Sequence, residues 1–164
     1  EIIERWNSTT GREDAVLGDA LVADPNAEKL HEVVSDRADL TRRLDHFLTE
    51  SESIIPEASK ALACGDLERF GRMADESQRA AEDLLGNQVP QTSALARIAR
   101  ELGATGATSF GAGFGGSVWA LVPNAEAPEF ASTWLGKYRD EYSEEAGQAV
   151  TVVTRPGPSA RRLD

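Results

Sequence analysis

Apolar residues recur at helical intervals along much of the chain. Through residues 1–23 the rhythm is loose: Ile2, Ile3, Trp6, Val16, Leu17, Ala20 and Leu21, interrupted by the turn-like run Asn7-Ser8-Thr9-Thr10-Gly11. Asp24-Pro25 reads as a helix start, because the aspartate can accept from exposed amides and a proline at the first helical position forfeits no hydrogen bond. From there Leu30, Val33, Val34, Leu40, Leu44, Phe47, Leu48, Ile54, Ile55, Ala58 and Leu62 form one stripe as far as Gly65. Pro56 lacks an amide and its ring crowds the preceding turn, which predicts either a kink or two abutting helices.

Gly65-Asp66 reads as a stop followed at once by a new cap, and Leu67, Phe70, Met73, Ala74, Ala81, Leu84 and Leu85 carry a second stripe to Gly86. The two stripes predict a long helical hairpin. After Asn87-Gln88-Val89-Pro90 a shorter helix is expected, capped by Thr92 or Ser93, with Leu95, Ile98, Ala99 and Leu102 on one face and Gly103 as its stop. Residues 107–110 and 117–122 then read as short buried strands flanking a glycine-rich loop, and Pro123 ends the second. Pro128 opens a helix bearing Phe130, Trp134, Leu135, Tyr138 and Tyr142, and 149–154 (Ala-Val-Thr-Val-Val-Thr) reads as a final strand before Pro156-Gly157-Pro158. Helices followed by strand, loop, strand, helix and strand predict an α+β fold with a small sheet covered by helices.

Composition narrows the functional classes. Lys and Arg total 17 against 28 Asp and Glu, a net charge of −11, which repels nucleic acid and anionic lipid. No apolar run approaches the length of a membrane span, and Glu1-Ile2-Ile3-Glu4-Arg5 lacks the order of a signal peptide. A single cysteine, Cys64, excludes an internal disulfide. A soluble, cytoplasmic protein is the expectation. The 164 residues open on Glu1 and hold one methionine, Met73, so the chain reads as a piece of something longer.

The charge is unevenly spread. The 21 residues Gly103–Pro123 carry no charged side chain and hold 6 of the 14 glycines. Within them Gly111-Ala112-Gly113-Phe114-Gly115-Gly116 satisfies G-x-G-x-x-G. A dinucleotide site requires that motif to open a helix, whereas here it runs into a strand pattern. A phosphate loop of the Gly-Lys-Ser/Thr kind needs a lysine that is absent, and the protein-kinase version, which Gly111 through Val118 fits, wants a lysine where Val122 stands. Two physical readings remain open on the residues alone. Successive glycines can expose amides to an anion, or let the hairpin pack tightly against a neighbour.

The stretches Arg43-Leu44-Asp45-His46-Phe47-Leu48-Thr49-Glu50, Ala61-Leu62-Ala63-Cys64-Gly65-Asp66-Leu67-Glu68-Arg69-Phe70-Gly71, Glu76-Ser77-Gln78 and Gly111 through Val122 appear in an order and spacing that resembles the C-terminal half of galactokinase-like GHMP sugar kinases. The resemblance spans roughly Thr41 to Leu163, so 41–164 is expected to be the GHMP kinase C-terminal domain and 1–40 a segment leading into it. It implies a ferredoxin-like α+β fold with a small antiparallel sheet. It also implies phosphoryl transfer from ATP with Mg2+ to a sugar, in a cleft shared with the protein's own N-terminal kinase domain. That half would supply the phosphate loop, the catalytic aspartate and most contacts to ATP and Mg2+, leaving this chain inactive alone. Gly111, Ala112, Gly113, Phe114, Gly115, Gly116 and Ser117 carry over as cleft-lining residues, and no catalytic or metal-binding residue is assigned here. Phe110 stands where the family usually has threonine or serine, which puts galactose itself in question, while Ser117 replaces the cysteine of galactokinases with a near isostere. The rival class is a stand-alone ligand-binding or regulatory module on the same scaffold.

The remaining reactive side chains read as structural. His46 lies on a helical stripe, His31 has no partner signature, Cys64 is expected in the core, and Glu50-Ser51-Glu52 and Glu144-Glu145 are expected to be solvated faces.

Overall fold

The computed structural model describes residues 1–157, which fall into two compact units, Glu1–Asn87 and the described residues from Gln88 onward. The first is helical: α1 (Ile2–Thr10), α2 (Leu17–Ala23), α3 (Glu28–Val34), α4 (Ala38–Leu48), α5 (Ile55–Cys64) and α6 (Leu67–Ala80), with π-helical turns at Thr49–Ile54 and Ala81–Leu85. Its core is built largely from the first 44 residues. Trp6, Ala20, Ala27, Leu30, Val34, Leu40 and Leu44 are buried together, with Ile2, Ile3, Leu17, Leu21, Val33 and Leu48 packed around them. Burying each large aliphatic side chain stabilises the fold by about 1.5–3 kcal/mol, and Leu30, Val34 and Leu44 are fully enclosed.

The stripe expected to run from Asp24 to Gly65, interrupted only at Pro56, is also divided earlier. Asp24 to Ala27 forms a turn, with the Ala27 amide donating to the Asp24 carbonyl at 2.9 Å, so the helix begins at Glu28. Asp24 still caps it, accepting from the Leu30 amide at 2.9 Å across that turn. A second break falls at Ser35-Asp36-Arg37, where the Arg37 amide closes on the Val34 carbonyl at 2.9 Å and Arg5 of α1 grips Asp36 at 2.6 Å. Around Pro56 two helices, α4 and α5, abut through the π-helical turn Thr49–Ile54. The chain stays helical and absorbs the missing amide by a wide turn, in which the Ile55 amide donates to the carbonyl of Glu50.

The predicted hairpin of α5 and α6 is present. Gly65 takes φ +72°, and Asp66 caps α6 by accepting from the Arg69 amide at 2.9 Å. Glu57 of α5 pairs with Arg69 of α6, and Ser77 donates to Glu50 at 2.6 Å. Cys64, expected in the core, is exposed because it sits on the outer side of the last turn of α5 before the reversal.

The second unit consists of α7 (Pro90–Glu101), strands β1 (Gly106–Phe110) and β2 (Ser117–Leu121), α8 (Ala127–Glu141) and a 3-10 turn, Glu145–Gln148. The cap expected at Thr92 or Ser93 is instead Val89, with Pro90 in the first helical position. Thr92 reaches back from the third, its hydroxyl accepting from the Val89 amide at 3.3 Å. The strands are antiparallel, paired from Gly106 with Leu121 to Phe110 with Ser117. Ala107 of β1 packs on Ala99 and Ala104, with Ala120, Val122, Phe130 and Trp134 around them, so α7 and α8 cover one face of the sheet. The fold class is therefore α+β with a small antiparallel sheet.

Residues 149–154 do not form the expected strand. They lack regular secondary structure, and Val150 and Val152 are each 81% exposed. A β-branched run favours extended backbone, but a strand also needs an edge to pair with. Here the segment is held at its ends instead, by Arg139 donating to the Ala149 carbonyl at 3.2 Å and Arg155 to Asn124 at 2.8 Å. Pro158 of the expected closing turn lies outside the described residues.

Candidate functional site

The approach to the glycine loop is built on alanines. Ala99 at the end of α7, Ala104 and Ala107 are all essentially without solvent contact, and their small side chains let the helix end and β1 lie close together. Gly103, at φ +92°, turns the chain out of α7. Arg100, in the last turn of α7, donates to the carbonyls of Ala104 and Thr105, the latter at 2.7 Å. It thereby satisfies acceptors between helix and strand, the role expected of a basic residue at a helix C-terminus. The Thr105 amide then donates to the Leu121 carbonyl at 2.8 Å, extending the ladder one residue beyond β1.

The helices behind the sheet are locked to each other. Trp134 of α8 donates its indole N–H to the Leu95 carbonyl of α7 at 2.9 Å, and its ring lies 5.7 Å from that of Phe130. Arg97 of α7 grips both carboxylate oxygens of Glu141 at 2.7 Å and Glu101 at 2.9 Å, and these partners raise its pKa above the usual arginine value. Neither Arg97 nor Arg100 was singled out by the sequence pattern. The available signal was only that basic residues fall in the last two turns of α7.

On this support the hairpin ends in a six-residue loop, Gly111 through Gly116. The seven residues nominated from the sequence, Gly111 to Ser117, are brought together there as one contiguous tip. Gly111, Gly113, Gly115 and Gly116 all have positive φ, from +82° to +111°. Phe114 has φ +58°, a region that bulky residues occupy only under strain. A Cβ added at Gly111, Gly115 or Gly116 would meet nothing within 4 Å. Tight packing against a neighbour, one of the two readings left open by composition, therefore does not explain those three glycines. Their backbone conformation does, and it leaves open space beside the main chain.

Two aromatic rings frame this tip. Phe110 is 58% exposed at the last pair of the ladder and Phe114 is 74% exposed within the loop. No ionisable side chain lies between Gly103 and Pro123, so no carboxylate of this segment opposes an approaching anion. For a phosphate-bearing ligand the open, uncharged main chain is a fitting surface. For a divalent cation, no group of three or more His, Cys, Asp or Glu side chains gathers among the described residues. Among the described residues no helix is long and apolar enough to cross a membrane.

The histidines stand elsewhere. His46 is half-buried on α4, while His31 of α3, without a partner signature in the sequence, meets Asp45 at 2.7 Å.

Comparison with known families bears directly on this arrangement. The family described as GHMP kinases C terminal matches residues 57–140, just over half of the chain, from α5 through α8 and including the whole hairpin. With that match and the α+β architecture together, the chain belongs to the GHMP kinase family, as its C-terminal domain.

Proposed function

We propose that this chain is the C-terminal domain, residues 41–164, of a galactokinase-like sugar kinase, and that the tip Gly111–Ser117 lines its active-site cleft near the transferring phosphate. ATP with Mg2+ supplies the phosphoryl group, and an N-terminal kinase half holds most of it together with the catalytic groups. The observation that carries the reading is the tip itself: positive φ at five of the six residues Gly111–Gly116, open space at three glycines, and no charge across the segment. Phosphoryl transfer depends on positioning and on stabilising charge spread over the transferred oxygens. A neutral loop whose main chain is accessible suits one wall of such a cage, and half a cage does not turn over. Phe110, presenting an exposed ring where the family usually has a small hydroxyl residue, favours an acceptor other than galactose.

The test compares the 164-residue chain alone with the same chain joined to its N-terminal half, assayed for ATP-dependent phosphorylation across a panel of monosaccharides. The joined enzyme is expected to turn over and the isolated chain to be silent. Robust turnover by the isolated chain would sink the proposal. Tight binding of sugar or nucleotide by the isolated chain, with no turnover in either form, would favour a binding or regulatory module instead.

A further inference from the structure

His31 occupies a position in which its ring has two acceptors and no donor. Its Nδ1 lies 2.7 Å from the carbonyl oxygen of Ala27 and its Nε2 lies 2.7 Å from Oδ1 of Asp45. A neutral imidazole carries one N–H, and a carbonyl oxygen or an ionised carboxylate can only accept. Both contacts are satisfied together only when both ring nitrogens carry protons. The two acceptors belong to different parts of the first unit. Ala27 is the buried N-cap of α3, at φ +54° an unusual left-handed position for alanine, and Asp45 stands on α4. His31 thus holds the strained entry to α3 with one nitrogen and the neighbouring helix with the other.

We infer that His31, Ala27 and Asp45 form a proton-dependent latch, closed when the imidazole is doubly protonated and released at one end when it loses a proton. The surrounding charges favour the closed state. Asp24, at the end of α2, adds a second carboxylate near the ring while accepting from the Leu30 amide. Of the cations on the packed elements, Arg5 of α1 pairs with Asp36 at 2.6 Å, Arg37 with Asp39 at 2.8 Å and Glu1 at 2.9 Å, and Lys29 with Glu32 at 2.8 Å, while α4 also carries Arg42 and Arg43. The hydrogen bond to Asp45, then that to Ala27, raises the His31 pKa above the ordinary histidine value of 6.5, against partial desolvation. With a raised folded pKa, the latch contributes fully below pH 6.5 and is lost as pH climbs through the folded value. The device lies outside the family-matched region, and it stands or falls separately from the kinase reading.

The experiment is imidazole NMR on the 164-residue chain, which holds two histidines, paired with amide exchange protection across α3 as a function of pH. Expected are a His31 midpoint above 6.5, a drop toward that value in Asp45→Asn, and α3 protection factors that fall about two- to fivefold as pH rises through the midpoint, the size appropriate to a half-exposed charged pair. His31→Gln, which cannot be protonated, is expected to show pH-independent α3 protection. A wild-type midpoint at or below 6.5 overturns the latch, as does a flat protection profile in the wild-type chain. Both of those readings need no variant, so they decide the matter even where a substitution fails to fold.

Discussion

Two glycines with the same open surroundings should respond in opposite directions to the same substitution. Gly116 closes the loop at φ +103°, and Gly136 lies exposed inside α8. An added Cβ meets nothing within 4 Å at either position, so sterics with neighbours drop out and only backbone preference remains. At Gly136, Ala restricts the unfolded chain and suits the helix, stabilising by roughly 0.5–1 kcal/mol. At Gly116 the same restriction, about 0.4–1 kcal/mol, is outweighed by strain of about 1–3 kcal/mol, because a φ near +100° lies beyond even the left-handed helical region open to L-residues. The expected difference between Gly116→Ala and Gly136→Ala is therefore about 0.5–3.5 kcal/mol, with Gly116→Ala the less stable. Urea unfolding followed by tryptophan fluorescence reads it. With slopes of about 1–3 kcal/mol per molar, the two midpoints should separate by at least about 0.2 M. Amide exchange at Ser117 and Val118 shows whether strain is instead released by fraying of the hairpin tip. If Gly116→Ala stabilises the chain as Gly136→Ala does, with the tip still protected, the loop does not require its positive φ and the argument for an open main-chain surface fails.

Other outcomes follow from single contacts. Asp66→Ala removes the side-chain acceptor for the Arg69 amide and should destabilise by about 1 kcal/mol, whereas Asp66→Asn should cost only a few tenths, as measured by urea midpoints. Trp134→Phe leaves the Leu95 carbonyl without its indole partner and should destabilise by about 1–3 kcal/mol, with faster amide exchange in α7 and α8. Asp39 is held at about 2 by the Arg37 guanidinium, so carboxylate NMR should find its midpoint near there and Arg37→Gln should return it to the ordinary aspartate range. The sign follows from the depressed value. Whatever this contact contributes is present above the ordinary aspartate pKa and lost as pH falls toward 2, and an Asp39 midpoint unmoved by Arg37→Gln would show that the pairing is not the cause.

The amino-acid sequence determined the features governed by one stretch of chain. Glycines at 65, 86 and 103 end helices because each takes a positive φ that other residues avoid, and the stops are legible as letters. Asp66 announces α6, since its acceptor needs only the amide three residues on. The uncharged run and its glycines mark the hairpin tip without reference to anything else in the molecule. Tertiary structure decided what depends on partners far along the chain. Apolar periodicity names a face but not what meets it, so Ile55 and Leu62 continue a stripe yet remain exposed, as does Cys64. The break at Ser35-Asp36-Arg37 is fixed by Arg5, some thirty residues earlier. His31 finds Asp45 only once α3 turns against α4, and residues 149–154 stay unpaired because strand formation needs a second edge as well as β-branched side chains. The same distinction holds at the candidate site. Sequence located its seven residues, whereas only three-dimensional structure showed that three of its glycines face open space, because a residue's neighbours are set by folding and not by its position in the chain.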